Sequence, residues 1–242
     1  MSITTKESHT QHISQQFNNE LSGLRNHILT MGGVVAKQVQ DSVQALLAGD
    51  TQLADEVRRK EDDVDEMERT IDEECTQVIA LRQPAASDLR LVVSVIKMVA
   101  DLERIGDEAS KIARLSIDLS EEGKAPRGYV EVKHISEHVI RMMNEALDAF
   151  ARFDDEVAMD IIKEDREVDQ EYRSAIRSLM TFMMEDPRSI SQVHNVMWVL
   201  RALERVGDHA SNIAEHVVFM VRGKDIRHMS LNDAQKALTE SR

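Results

Sequence analysis

The sequence repeats itself, and this repeat limits the folds open to the chain more than any other feature. The motif Leu-Glu-Arg-(Ile/Val)-Gly-Asp-x-Ala-Ser-x-Ile-Ala occurs at residues 102–113 and again at residues 203–214. A shorter match relates residues 61–65, Glu-Asp-Asp-Val-Asp, to residues 165–169, Asp-Arg-Glu-Val-Asp. In both matches, the second copy follows the first at nearly the same distance along the chain, which indicates that one structural unit has been duplicated in tandem.

Each unit is predicted to be helical. Aromatic residues make up 3% of the chain and there are three prolines and nine glycines, a composition that favours helix over strand. Turn-forming residues interrupt the helical periodicity near residues 49–50, 83–84, 121–128, 153–154 and 186–187. We therefore predict an all-α fold of six long helices, in two three-helix units at residues 7–122 and 127–223, followed by a polar tail at 224–242. The Gly32-Gly33 pair allows a kink in the first helix.

Charge and hydropathy exclude several classes of function. The formal net charge of −14 opposes binding to a nucleic-acid backbone. Cys75 is the only cysteine, so the chain cannot form an intramolecular disulfide. No signal region is visible at the N-terminus, and no apolar run is long enough to span a bilayer. We expect a cytoplasmic protein that meets a membrane only through partners.

Each unit contains two acidic pairs in which Asp follows another acid by four residues. Such pairs lie on one helix face, so their like charges are unfavourable unless something neutralises them. A hard cation would do so, because magnesium, calcium, manganese and iron accept several oxygen ligands and two facing helices supply four carboxylates. The candidate ligands are Glu61 and Asp65, Glu103 and Asp107, Asp165 and Asp169, and Glu204 and Asp208.

Ion pairs with arginine are the alternative explanation for these acids. For one isolated pair this alternative would be preferred, because the spacing is common by chance in acidic helices. Four copies at matching places in two repeats favour metal binding instead. The arginines that could pair with Glu103 or Glu204 are Arg90, Arg104, Arg201 and Arg205.

Glycines and polar residues beside the motifs add further hypotheses. Gly106 and Gly207 precede the second acid of their motifs, where they would either leave room beside an ion or let two helices pack closely. Asn212 could supply an oxygen ligand, whereas its repeat equivalent Lys111 could not, so the two sites would differ in occupancy.

Other notable residues are interpreted as structural. His209 and His216 flank the second motif, but their repeat equivalents are not histidines, and we interpret both as surface residues. Trp198 is predicted to lie in the core. The methionines at helical spacing are predicted to fill the core or an interface between the units; they include Met142, Met143, Met183 and Met184.

Motifs for catalysis are missing from the sequence. It contains no glycine-rich phosphate loop, no Ser-His-Asp order and no Cys-x-x-Cys pair. A di-iron oxidase needs two Glu-x-x-His pairs, and the one obvious instance is Glu131-Val-Lys-His134. A non-enzymatic, metal-dependent adaptor is therefore favoured over a redox or hydrolytic enzyme, with a purely structural helical scaffold as the third alternative.

Several of these segments together resemble the PhoU family. They are Leu-Glu-Arg-Ile-Gly-Asp at 102–107, Arg-Ala-Leu-Glu-Arg-Val-Gly-Asp-His at 201–209, Arg-Gln-Pro-Ala-Ala-Ser-Asp-Leu-Arg at 82–90 and Met-Met-Glu-Asp-Pro at 183–187. The resemblance implies two three-helix bundles related by a pseudo-twofold axis, usually in a dimer. It also implies multinuclear metal, either magnesium, manganese, iron or zinc, held by the acids above, with Asp62 as a plausible additional ligand. Asp165 departs from the family pattern, which has Glu there.

The same resemblance implies a signalling role. Members act as negative regulators of the phosphate regulon. They link the ATPase subunit of a phosphate-specific ABC transporter to a membrane sensor histidine kinase, and they favour dephosphorylation of the response regulator when phosphate is plentiful. These partners, the homodimer and the metal are therefore expectations for this chain.

Overall fold

Helices make up nearly all of the part of the chain that the structure describes. The computed structural model describes the backbone of residues 4–227, 229 and 233, and within this set the side chains from residue 15 onward. The elements are α1 (Thr4–Ala48), α2 (Thr51–Arg59), α3 (Glu61–Arg82), α4 (Ala86–Glu122), α5 (Tyr129–Arg152), α6 (Asp155–Glu185), a short 3-10 helix (Pro187–Ser189) and α7 (Ile190–Arg222). The prediction of an all-α fold is confirmed.

The predicted second helix is divided into α2 and α3 by a single residue, Lys60. The last turn of α2 carries Arg58 and Arg59, whereas the first turn of α3 carries three consecutive acids. Cations are favourable at a helix C-terminus and anions at an N-terminus, so this charge reversal stabilises an end and a new start at Lys60. The Gly32-Gly33 pair, by contrast, lies within the continuous helix α1.

Equivalent caps begin the second helical segment of each repeat. Asp50 accepts a hydrogen bond from the Leu53 amide at 3.0 Å, and Asp154 accepts from the amides of Glu156 and Val157 at 3.1 Å. An N-terminal cap of this kind stabilises a helix by about 1 kcal/mol.

Helices α4 and α7 are buried along much of their length and lie side by side in opposite directions. The Ser94 hydroxyl donates to the His216 carbonyl oxygen at 3.3 Å, and Arg90 donates to the Met220 carbonyl oxygen at 3.2 Å. Residue numbers thus fall along α7 as they rise along α4. Helices α1, α2 and α3 pack on α4, while α5 and α6 pack on α7. The two units are therefore joined through their last helices by an approximate twofold relation.

The core predictions were right for some apolar residues and wrong for others. Met142 and Met143 are fully buried. Met184, however, is 76% exposed, and Trp198 is 45% exposed. Trp198 lies at the rim of the bundle because its indole N–H donates to His194 at 3.2 Å and the Lys111 ammonium stands 5.3 Å from its ring.

The exact limits predicted for the two units, 7–122 and 127–223, stay a prediction. The tail predicted for 224–242 lies mostly outside the described residues. No helix in the described part is both long and apolar enough to cross a membrane.

Candidate metal sites

The four predicted acids of the second repeat come together between α6 and α7. One carboxylate oxygen from each of Asp169, Glu204 and Asp208 lies within 4.8 Å of the other two. Asp165, one turn before Asp169, interacts electrostatically with both aspartates. We call Asp165, Asp169, Glu204 and Asp208 the second acidic cluster.

Burial and mutual repulsion raise the pKa of three members of this cluster, Asp165, Glu204 and Asp208. Burial, followed by the charges of Asp208 and Asp169, raises the pKa of Asp165 to about 7. Burial and the charge of Asp208 likewise raise the pKa of Glu204 to about 7. The pKa of Asp208 is also raised, first by burial and then by Asp169. A cation placed among these carboxylates would relieve both costs.

Glu204 shows that the arginine alternative accounts for only part of the cluster. Its Oε1 atom accepts a hydrogen bond from Arg201 at 2.5 Å, so one predicted type of ion pair is present. Its Oε2 atom is buried without a hydrogen-bond partner. A buried carboxylate oxygen left without a partner costs on the order of 1–3 kcal/mol. An oxygen-only donor set with one unsatisfied buried oxygen fits a hard divalent cation.

The corresponding acids of the first repeat also converge, in a more open arrangement between α3 and α4. Burial, then the charges of Glu61 and Asp65, raises the pKa of Asp107. Burial and the charge of Asp107 raise the pKa of Glu103. Glu61 is exposed and accepts a hydrogen bond from the Ser110 hydroxyl at 2.6 Å. Among the described residues, these acids do not form a group of three with ligand atoms mutually within 4.8 Å.

Glu68 is a member of this first acidic cluster that the sequence analysis missed. Burial raises its pKa, with further contributions from Asp72, Asp65 and Asp107. Its repeat equivalent is Tyr172, so comparing the repeats concealed it, although its spacing of three residues from Asp65 placed it on the same helix face. The first acidic cluster is therefore Glu61, Asp65, Glu68, Glu103 and Asp107. Asp62 is exposed, and no described interaction joins it to the cluster.

The two motif glycines permit close helix packing. A β-carbon at Gly106 would lie 3.4 Å from Val64, and one at Gly207 would lie 3.4 Å from Val168, the repeat equivalent of Val64. The same β-carbon at Gly207 would lie 3.7 Å from an Asp165 carboxylate oxygen. Close packing thus holds α3 against α4 and α6 against α7, and in the second repeat it also sets the space beside the acids.

The comparison with protein families matches both repeats. The family described as PhoU domain matches residues 28–116 and again residues 132–217. The chain belongs to the PhoU family.

Other PhoU proteins are similar over most of their length. A phosphate-specific transport system accessory protein PhoU homolog from Pseudomonas aeruginosa is 57% identical over 99% of both chains. The crystal structure of PhoU from Pseudomonas aeruginosa has a TM-score of 0.84 and 59% identity, covering 86% of this chain and 100% of that one. The crystal structure of the phosphate transport system regulatory protein PhoU from Streptococcus pneumoniae has a TM-score of 0.80 and 27% identity, covering 86% and 98%.

His209 and His216 were predicted to be surface residues, and this prediction is wrong. Both are buried and contact Asp101. His209 Nδ1 lies 2.8 Å and His216 Nε2 lies 3.0 Å from the Asp101 carboxylate. Asn212, considered above as an oxygen ligand, instead donates its amide to Asp101 at 3.1 Å. Burial alone would raise the pKa of Asp101, but these three hydrogen bonds lower it to about 2. The prediction failed because the antiparallel pairing of α4 and α7 brings together residues that are distant in sequence.

Proposed function

We propose that this PhoU-family chain is a non-enzymatic, metal-dependent regulator of phosphate transport. The observation that carries the metal part is the second acidic cluster, where three carboxylates converge and a buried Glu204 oxygen has no hydrogen-bond partner. Membership in the family, whose similar members are named accessory or regulatory proteins of phosphate transport, supports the regulatory part.

Two metal sites are proposed, one in each repeat. A bound divalent ion would neutralise the carboxylates and offer a coordination position to an oxygen of a partner or of phosphate. The chain itself holds the ligands in place, since close packing at Gly106 and Gly207 fixes the paired helices. Oxygen-only ligands favour magnesium, manganese or iron over zinc. The ligands are Glu61, Asp65, Glu103 and Asp107 in one site, and Asp165, Asp169, Glu204 and Asp208 in the other.

Asp62 is a weaker candidate as an additional ligand of the first site. Its exposed position at the start of α3 lets it approach an ion only after movement of its side chain or of a partner.

The partners follow from the same proposal. A cytoplasmic homodimer would contact the ATPase subunit of the phosphate ABC transporter and the sensor histidine kinase, and would favour dephosphorylation of the response regulator. The acidic surface, neutralised by metal, would present the contact face. Co-purification of the chain with each partner, with and without chelator, tests this step, and binding that is indifferent to chelator contradicts it.

Elemental analysis tests the metal sites directly. The chain is purified without chelator, metal resin or affinity tag, beside a variant carrying Glu103→Gln, Asp107→Asn, Glu204→Gln and Asp208→Asn. A control variant removes the same charge from four exposed acids, Glu121, Glu137, Asp148 and Glu167. We expect the native and control proteins to carry the metal of the two acidic sites, and the cluster variant to lose that amount of metal. Equal metal content in all three, or none in any, would leave a helical scaffold without these sites.

A further inference from the structure

A separate group of ionisable side chains lies where α5 packs against α6. His134 and His138 are one turn apart on α5, and Glu164 and Glu171 are two turns apart on α6. Each pair projects from one helix face, so the four side chains meet across the contact between the two helices. His138 is 8% exposed, and none of the four belongs to an acidic cluster described above.

Both ring nitrogens of buried His138 face carboxylates. Nε2 lies 2.8 Å from Glu164, and Nδ1 lies 3.2 Å from each oxygen of Glu171. His134 Nε2 lies 3.2 Å from the same carboxylate. A neutral imidazole has one N–H donor and one lone pair, so one nitrogen of His138 would direct its lone pair at carboxylate oxygens. A metal ion placed between that nitrogen and the carboxylate oxygens would accept lone pairs from both.

The composition of the group favours a metal of the zinc class. Two imidazoles and one carboxylate, with a fourth position left for water, form a common ligand set for catalytic zinc. Neighbouring ligand atoms of a tetrahedral zinc ion are about 3.3 Å apart for bonds of about 2.0–2.1 Å. Two of the three separations in this set, from Glu171 Oε1 to His134 Nε2 and to His138 Nδ1, are 3.2 Å, which agrees with this value and is also the length of a hydrogen bond.

The outer contacts of His138 also match a metal site. When Nδ1 binds an ion, Nε2–H donates to Glu164, and Glu164 is held by an ion pair with Arg141 at 2.5 Å. Carboxylates of this kind orient metal-binding histidines and raise their basicity. The ligand atoms are not yet all within 4.8 Å of one another. The remaining adjustment falls to His134, whose side chain is 67% exposed and is held in the structure by its contact with Glu171.

We propose that His134, His138 and Glu171 form a transition-metal site of the zinc class, positioned by Glu164 and Arg141. The site goes beyond the proposed regulatory function and does not depend on the acidic clusters. It is specific to the second repeat, because the equivalent positions of the first repeat carry no imidazole or carboxylate. Those equivalents are Thr30, Val34 and Met67.

Cobalt and zinc titrations of the full, untagged chain test the proposal. Cobalt bound through imidazole in a tetrahedral site gives an intense visible absorption, and zinc should displace it. The starting protein carries Glu204→Gln and Asp208→Asn, so the second acidic cluster cannot contribute. We expect one strong site, abolished by His134→Ala. The substitution Glu164→Gln, which removes an outer contact, should weaken zinc binding about 10- to 100-fold.

A matched control separates this site from adventitious binding to surface histidines. His27 is exposed and lies 2.7 Å from Glu74, so His27→Ala removes a comparable His–Glu pair outside the proposed site. His27→Ala should leave the cobalt signal unchanged. No tetrahedral signal in the starting protein, or a signal that survives His134→Ala, would overturn the proposed site. Neither result would affect the metal content expected of the acidic clusters.

Discussion

Replacing Glu204 by Gln should stabilise the metal-free protein above neutral pH, although it removes a candidate ligand. Burial and the charge of Asp208 raise the pKa of Glu204 from 4.5 to about 7. A carboxyl group with a raised folded-state pKa binds its proton more tightly in the folded than in the unfolded chain. The stability that it contributes is therefore fully present below about pH 4.5 and is lost as the pH rises to about 7.

The size of this effect follows from the two pKa values. A rise from 4.5 to about 7 corresponds to about 3 kcal/mol of stability lost at pH 8.5. At pH 5.5 only about 1.4 kcal/mol has been lost, because the folded-state carboxyl is still protonated. Glu204→Gln also gives up the ionic bond to Arg201, so we expect a net gain of about 1–3 kcal/mol at pH 8.5. The gain should shrink by about 2 kcal/mol at pH 5.5.

Urea denaturation with chelator at pH 5.5 and pH 8.5 measures this difference. Glu167→Gln makes the same chemical change at an exposed position of α6 and serves as the control. The reasoning is refuted if Glu204→Gln shows the same change in the free energy of unfolding at both pH values, or if it behaves as Glu167→Gln does.

Two further predictions concern single residues of α1 and α4. A β-carbon at Gly32 would lie 2.6 Å from Leu147, whereas one at the adjacent Gly33 would meet no atom within 4 Å. Gly32→Ala should therefore lower the free energy of unfolding by about 1–3 kcal/mol, while Gly33→Ala should raise it by about 0.5–1 kcal/mol, as thermal denaturation of both variants would show. Asp101→Asn should destabilise the fold by about 2–4 kcal/mol at pH 7, because it removes the charge that two buried histidines and an amide contact. This loss of stability should diminish as the pH falls from about 3.8 toward 2, because the pKa of Asp101 is lowered to about 2 in the folded chain. Urea denaturation measures both effects. The control variant Asp148→Asn, at an exposed site, should show neither.

The helices and the pairing of the acids could be predicted from the sequence because both depend on local spacing. Residues four apart share a helix face in any helix, so Glu103 with Asp107, and Glu204 with Asp208, required no knowledge of the tertiary fold. The end of α2 at Lys60 was not predicted, because one helix can end and another begin within one residue when the charges on either side favour both ends.

Residues that differ between the repeats were the ones that sequence comparison could not place. Glu68 has no acidic counterpart in the second repeat, and the imidazole–carboxylate group at His138 has none in the first. A comparison of the two repeats identifies only residues that both repeats share, so it cannot identify these. Their roles depend on which helices pack together in the tertiary fold, and helical periodicity in the sequence does not specify this packing.

The variable positions of the repeated motif explain why the two halves differ where they meet. Apart from the conservative change of Ile105 to Val206, the motif varies at its seventh and tenth positions, which are Glu108 and Lys111 in the first repeat and His209 and Asn212 in the second. In the structure, the residues at these positions either contact the opposite repeat or form an ion pair with a residue that lies next to it. His209 and Asn212 contact Asp101, whereas Glu108 pairs with Lys111 and, across the interface, with Arg205 at 2.8 Å.

Each half of this interface is thus neutralised by a different set of charges. Asp101 of the first repeat contacts His209 and Asn212 of the second. The repeat equivalent of Asp101 is Ala202, and the repeat equivalent of His209 is Glu108. Glu108 therefore has no counterpart of the Asp101 contact and pairs instead with Lys111 and Arg205. A buried charge without a partner would cost several kcal/mol, so the residues of one half could change only together with those they face. The identical positions, by contrast, supply the paired acids and the glycines that act within a single repeat. Duplication has therefore preserved the paired acids of each cluster, while the contact between the repeats has diverged pair by pair.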